Sequence, residues 1–286
     1  MDNKAVLYVG GGAMAGVFGA GVVTRLQGVD AYDKFSHVYG ASAGAFDIAY
    51  FLDRQTRKGS SIYWEDLIEG FIDFSKLPKA VINIILGREE IPNVVDINYL
   101  IRVSQTTKKL DVEEIQRSPI VARVKVYNLR TKTIEYFDLK ENTFQRLQES
   151  SSVVPYFYSK GQENIDGDVL DPLGYEFLRK QHPEQKLIFV LNHGIKRGTL
   201  RKLRSSLEGR LVSRMLGDSE LGKMFSKKAK KIEEEAEKIK EDRNALLITP
   251  PVDNPTTNTT TNPEKLKYTH SLGMLECQKV LDFIRT

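Results

Sequence analysis

The sequence predicts an α/β fold of three layers, helices on both faces of a mostly parallel sheet, with a helical C-terminal extension. Three observations carry this. The apolar runs at 5–9 and 37–39 each feed a glycine-rich turn that opens a helix-like stretch, as in strands covered on both faces. A further apolar run at 186–191 reads as another buried strand. The 286 residues, 41% hydrophobic and 28% charged, are enough for one large core.

The first strand, Ala5–Val9, leads into Gly10-Gly11-Gly12-Ala13-Met14-Ala15-Gly16 and then a helix over 17–27. Bare backbone N–H groups converge at such a turn, which suits a phosphate or an oxyanion equally. Walker A requires Gly-Lys-Ser/Thr, and that is absent. A dinucleotide site requires an acid at the end of the next strand, whereas Asp30 and Asp33 precede that strand. The strand instead runs into Gly40-Ala41-Ser42-Ala43-Gly44, the G-x-S-x-G pattern of a nucleophile elbow, and a helix over 46–52. Glycines at both ends relieve the crowding of a sharp turn, and the serine stands at a helix N-terminus that favours developing negative charge. The same residues also read as a plain strand-to-helix turn with Ser42 as its N-cap.

Two later segments bear on that choice. Asn164-Ile165-Asp166-Gly167-Asp168 carries an Asp-Gly pair, and 149–157, Glu-Ser-Ser-Ser-Val-Val-Pro-Tyr-Phe, precedes it. A glycine-rich loop, an elbow about 30 residues later and an Asp-Gly pair, in that order, resemble the patatin-like phospholipase family over roughly 5–192. The tail at 246–250 and the helix at 263–284 are similar to the ending of bacterial members. The resemblance implies a Ser42–Asp166 dyad without histidine, Gly167 in the aspartate motif, and an oxyanion loop of Gly11, Gly12 and Ala13. It also implies cleavage of fatty-acyl esters of (phospho)lipids through an acyl-enzyme, with neither a metal nor a cofactor. Two departures stand out. The family's third loop glycine and its basic residue fall on Ala13 and Ala15, and the aspartate motif has a second acid, Asp168, which raises the pKa of Asp166 if it points inward.

The remaining elements are read from spacing. Residues 62–74 have helical spacing with core aromatics. The apolar stretch 80–86 reads as a buried helix or as a lipid-facing cap over the serine. Alternation in 120–127 and 133–139 around 129–132 predicts a hairpin at the sheet's end. Residues 196–243 read as helical, first basic and then Glu/Lys-rich; 254–262 reads as a mobile polar loop. The expected division is therefore 1–195 as the catalytic domain, 196–244 as a helical insertion, and 245–286 as a final strand, loop and helix on the same domain.

The net charge of +4 is unevenly spread: 196–231 holds 12 Lys/Arg against Glu208, Asp218 and Glu220. That block is the pointer to an anionic partner, a membrane surface rather than nucleic acid, since Phe225 is its one aromatic. Cys277 alone excludes an internal disulfide framework. No signal peptide and no spanning apolar run are evident, so a cytoplasmic protein, peripheral to membrane at most, is expected. Two rivals remain open: a Ser42-Asp166-His193 triad, and a silent binding protein that keeps the fold without the chemistry.

Overall fold

The computed structural model describes residues 4–195 and 199–285, with the side chains of 199–202 left aside. The start of the basic block, Lys196 and Arg197, lies outside the described residues. Among the described residues, seven strands form one sheet: β1 (Ala5–Val9), β2 (Phe35–Gly40), β3 (Val121–Asn128), β4 (Thr133–Asp138), β5 (Asn164–Asp166), β6 (Leu187–Val190) and β7 (Ala245–Ile248). Their order is β4-β3-β2-β1-β6-β7, with β5 paired to β3. The β2–β3, β1–β2, β1–β6 and β6–β7 pairs are parallel, whereas β4 and β5 run antiparallel to β3. Every residue of β1 is buried, as expected of a central strand between helical layers.

The helices around the sheet, again among the described residues, are α1 (Val17–Gly28), α2 (Ala43–Leu52), α3 (Thr56–Glu65), α4 (Leu77–Ile85), α5 (Ile97–Gln105), α6 (Val112–Arg117), α7 (Thr143–Ser150), α8 (Tyr175–Gln181), α9 (Thr199–Leu216), α10 (Ser219–Glu241) and α11 (Pro263–Arg285). The central helix α1 packs on α2, α3 and α11. Gly21 and Gly273 are what lets α11 come so near: a Cβ on either would fall 2.1 Å from a carbonyl oxygen of the other helix. Helices α9 and α10 form an antiparallel pair, and α10 also packs on β7.

The structure differs from the expected elements at three places. The helix expected over 62–74 ends at Glu65; Leu67 and Phe71 still pack in the core, but Gly70 adopts a φ of 75° that a right-handed helix cannot hold. The helical stretch 196–243 is two helices, broken at Gly217 (φ 67°), after which Asp218 caps α10 by accepting from the N–H groups of Glu220 and Leu221. The polar loop 254–262 is tied down: Asn258 accepts the Met14 N–H at 3.3 Å and Thr256 bonds Thr269 at 2.6 Å.

Candidate active site

The register along β3 brings the two motifs together. β4 occupies one edge of β3 from Arg123 to Asn128, so β2 and β5 share the other edge. There, Gly40 at the end of β2 lies opposite Val124, and Asp166 at the end of β5 lies opposite Val126. Two residues of strand separate those positions, about 7 Å along β3. The chain leaving β2 turns at once through Ser42, which has a φ of 52° and a ψ of −124°, a backbone conformation ordinary side chains avoid. Its glycines explain how so sharp a turn fits: a Cβ on Gly44 would fall 2.1 Å from the Val9 carbonyl oxygen, and one on Gly40 would fall 2.7 Å from that of Gly44. The Ala45 N–H bonds the Ser42 carbonyl at 3.0 Å, starting α2 directly behind the hydroxyl.

The serine-rich segment after α7 bridges the two sites. The Ser42 N–H donates to the Ser150 carbonyl at 3.1 Å, and the Asp166 N–H donates to the Ser152 carbonyl at 3.1 Å. Ser150 Oγ in turn donates to the Lys125 carbonyl at 2.9 Å, fixing the bridge to β3. Asp166 is buried, and its carboxylate accepts the Asp168 N–H at 2.8 Å. Among the described residues no hydrogen bond joins it to Ser42 Oγ. Burial, then the nearby Asp168 carboxylate, pushes the Asp166 carboxyl up to about 7, against the opposing charges of Lys228 and Lys125 and the Asp168 N–H.

Asp168 points inward, onto the glycine-rich loop. Its Oδ2 accepts the Gly11 N–H at 2.6 Å, and its Oδ1 pairs with Lys125 Nζ at 2.7 Å and accepts from the Tyr8 hydroxyl. Lys125 is wholly buried, lies 4.5 Å over the Tyr8 ring, and also donates to the Asp171 carbonyl. Burial alone would discharge the lysine; the carboxylates of Asp168 and Asp171 outweigh it and hold its pKa above the ordinary value. A cation therefore reaches the loop through Asp168, although the loop itself has alanine at position 15. Asn192, just after β6, secures the other side: its Nδ2 donates to the Gly10 carbonyl at 2.6 Å and its Oδ1 accepts the Gly19 N–H at 2.8 Å.

Of the three loop residues expected to face an oxyanion, Gly11 thus has its N–H engaged by Asp168. Gly12 and Ala13 open the 3-10 turn Ala13–Gly16 at the start of the helical layer. Their N–H groups have no hydrogen-bond partner among the described residues. Ser42 and Ala13 line a narrow apolar pocket of about 50 Å³ running between α2, α3 and α5 towards Ile62, Phe71 and Leu100. Beside it, sharing Val153, lies an open cleft of about 870 Å³ whose wall includes His193, Arg204 and Lys228. His193 therefore lines the cleft, whereas Ser42 lines the pocket. Among the described residues no cluster of three or more His, Cys, Asp or Glu side chains is arranged to hold a metal ion.

The profile of patatin-like phospholipases matches residues 7–266. The chain belongs to that family. Patatin-like members are lipid acyl hydrolases. VipD from Legionella pneumophila, a solved structure, superposes with a TM-score of 0.50 at 15% identity, covering 98% of this chain and 67% of that one; at that identity the likeness is one of fold. No curated protein matches the sequence. Within this patatin-like fold, sequence reasoning missed Lys125, Tyr8, Ser150, Ser152 and Asn192. The signal for Lys125 was a lone lysine at a position of β3 flanked by apolar neighbours; Ser150 and Ser152 carried none beyond the cluster of serines.

Removing the like charge beside Asp166 makes that carboxyl easier to ionise, so Asp168→Asn is expected to move any acid limb of activity from near pH 7 to lower pH. The asparagine oxygen still accepts the Gly11 N–H. A kcat/KM profile from pH 5 to 9 on both proteins is the measurement, and an unmoved limb would mean that Asp168 does not influence the base.

Proposed function

We propose that this chain hydrolyses fatty-acyl ester bonds of phospholipids or related acyl esters through Ser42 and Asp166, without a third catalytic side chain. The observation that supports this most is the shared edge of β3, where the strained elbow and the buried aspartate meet beside an apolar pocket.

The steps follow from the chemistry of the groups. Ser42 Oγ attacks the ester carbonyl carbon while its proton passes to Asp166 Oδ. The carbonyl oxygen becomes an oxyanion, held by the N–H groups of Gly12 and Ala13 and by the N-terminal end of α2. The carbon–oxygen bond to the alcohol then breaks, and the departing oxygen takes the proton back from Asp166. Water next attacks the acyl-enzyme, giving a proton to Asp166, and the fatty acid leaves as Ser42 is reprotonated. A carboxyl near 7 is half-ionised at neutral pH and a stronger base than an ordinary aspartate. The Ser42–Asp166 hydrogen bond forms once substrate fills the pocket; hydrogen bonds of this kind are often long in the free enzyme. The apolar pocket takes the acyl chain and the polar cleft beside it takes the rest of the ester.

The test is release of free fatty acid from phosphatidylcholine and phosphatidylserine vesicles and from short-chain nitrophenyl esters. The proposal expects turnover of at least one of them at neutral pH. No turnover of any, by folded protein, would favour the silent binding protein.

A further inference from the structure

Helix α4 exposes aliphatic side chains as well as burying them. Ala80 and Ile84 are buried, yet the opposite face presents Pro78, Lys79, Ile82, Ile85 and Leu86, with the three aliphatic residues 51–58% exposed. Phe74, just before the helix, is 52% exposed. A row of exposed aliphatic side chains on one helix marks a surface that something covers. α4 packs against α9, and α9 continues the pattern. Leu203, Leu207, Arg210 and Arg214 fall at helical spacing on one exposed stripe, the two leucines 58% and 51% exposed. Six of the large exposed hydrophobic side chains of the described residues therefore lie on or next to two helices in contact.

Three cations of this face are available. Lys79, Arg210 and Arg214 are exposed and have no carboxylate partner within ion-pair distance among the described residues. Most basic residues of α10 are engaged instead: Lys230 pairs with Glu234 at 2.9 Å, Lys231 with Asp171 at 2.7 Å, and Lys223 with Glu220 at 2.7 Å, which leaves Lys227 and Lys228 as its unpaired lysines among the described residues. Cations bordering exposed aliphatic side chains match an anionic bilayer, whose headgroups attract the first and whose acyl boundary accepts the second. A second copy of the chain would bring the same cations against themselves. The cleft opens on the same helix, since Arg204 and Glu208 of α9 line it and Glu208 accepts from the Tyr156 hydroxyl at 2.7 Å.

We infer that α4 and α9 together form the face by which this protein docks on anionic lipid bilayers, inserting Ile82, Ile85 and Leu86. The lysines at 227–231, the natural choice from composition, are secondary to it. Docking in this orientation turns the cleft wall of α9 towards the lipid. The inference does not depend on Ser42 chemistry, so it is tested in the Ser42→Ala background, where vesicle composition stays constant and a failure of binding is separate from a failure of hydrolysis.

The experiment is flotation with vesicles of phosphatidylcholine alone and of phosphatidylcholine with phosphatidylserine, at low and at 0.15 M salt. The intact face is expected to float with the anionic vesicles, less so as salt rises. Ile82→Ser/Ile85→Ser/Leu86→Ser should reduce binding by about tenfold or more, since each buried aliphatic side chain contributes strongly to partitioning. Arg210→Glu/Arg214→Glu should remove the preference for anionic over neutral vesicles, and Lys227→Glu/Lys228→Glu/Lys230→Glu should change binding much less. All altered residues but Lys228 are exposed, and thermal unfolding of each variant checks the fold. Absence of flotation by the intact face, or undiminished flotation by the triple serine variant, overturns the inference. So does sedimentation showing a dimer that the triple variant disperses, because the face would then belong to a second copy.

Discussion

Ser42→Ala is expected to reduce ester hydrolysis by about 10⁴-fold or more while leaving unfolding unchanged, the loss found when a serine nucleophile is removed from such a machine. The fold is spared because Ser42 Oγ makes no hydrogen bond among the described residues, whereas the turn is held by backbone bonds to Ser150 and by the closeness of Gly44 to β1. Asp166→Asn should come within about tenfold of the same loss, since the amide cannot take the serine proton. His193→Ala is the control: it lines the cleft rather than the pocket, and should alter KM more than kcat. A loss in His193→Ala equal to that in Ser42→Ala, with Asp166→Asn mild, would replace the dyad by the triad.

The second large effect is on stability. Lys125→Met is expected to cost about 3–5 kcal/mol, because it leaves the carboxylate of Asp168 buried with its main counter-charge gone. Part of the loss should return in Lys125→Met/Asp168→Asn, where neither charge is present, so the two single changes are not additive. Urea unfolding of the four proteins measures this. Equal and additive losses would mean that the pair does not act as a unit. Activity should fall as well in the single variant, since Asp168 would no longer be held where it fixes Gly11 next to the elbow; a Cβ on Gly11 would lie 2.9 Å from that of Ser42.

The parts of this molecule legible in the sequence are those whose chemistry is local. A sharp turn needs Gly40 and Gly44 within two residues of Ser42, and an apolar run such as Ala5–Val9 declares a buried strand wherever it lands. The hairpin of β3 and β4 was visible for the same reason, through alternation. Lys125 was not. Alternation puts it on the face of β3 shared with exposed Arg123, which reads as solvent, but the lysine is wholly buried, with Asp168, Asp171 and Glu235 of α10 the charges acting on it. Asp168 illustrates the same limit from the other side. Its presence after Gly167 was plain, but whether it faced Asp166, solvent or the loop depended on partners about 160 positions away, Tyr8 and Gly11. The stretch 80–86 leaves both a buried helix and a lipid-facing one open, because a short apolar run reads alike whether one face or both are covered; the structure buries Ala80 and Ile84 and exposes Ile82, Ile85 and Leu86.

In the proposed mechanism Ser42 is an activated nucleophile with Asp166 as its base. Labelling with a fluorophosphonate probe, with mass spectrometry of the modified peptide, tests it most directly. A serine activated by Asp166 should give a single adduct on Ser42, formed more rapidly as pH rises through 7 and nearly absent in Asp166→Asn. Folded protein that takes no label at Ser42, or labels equally fast without Asp166, would contradict it.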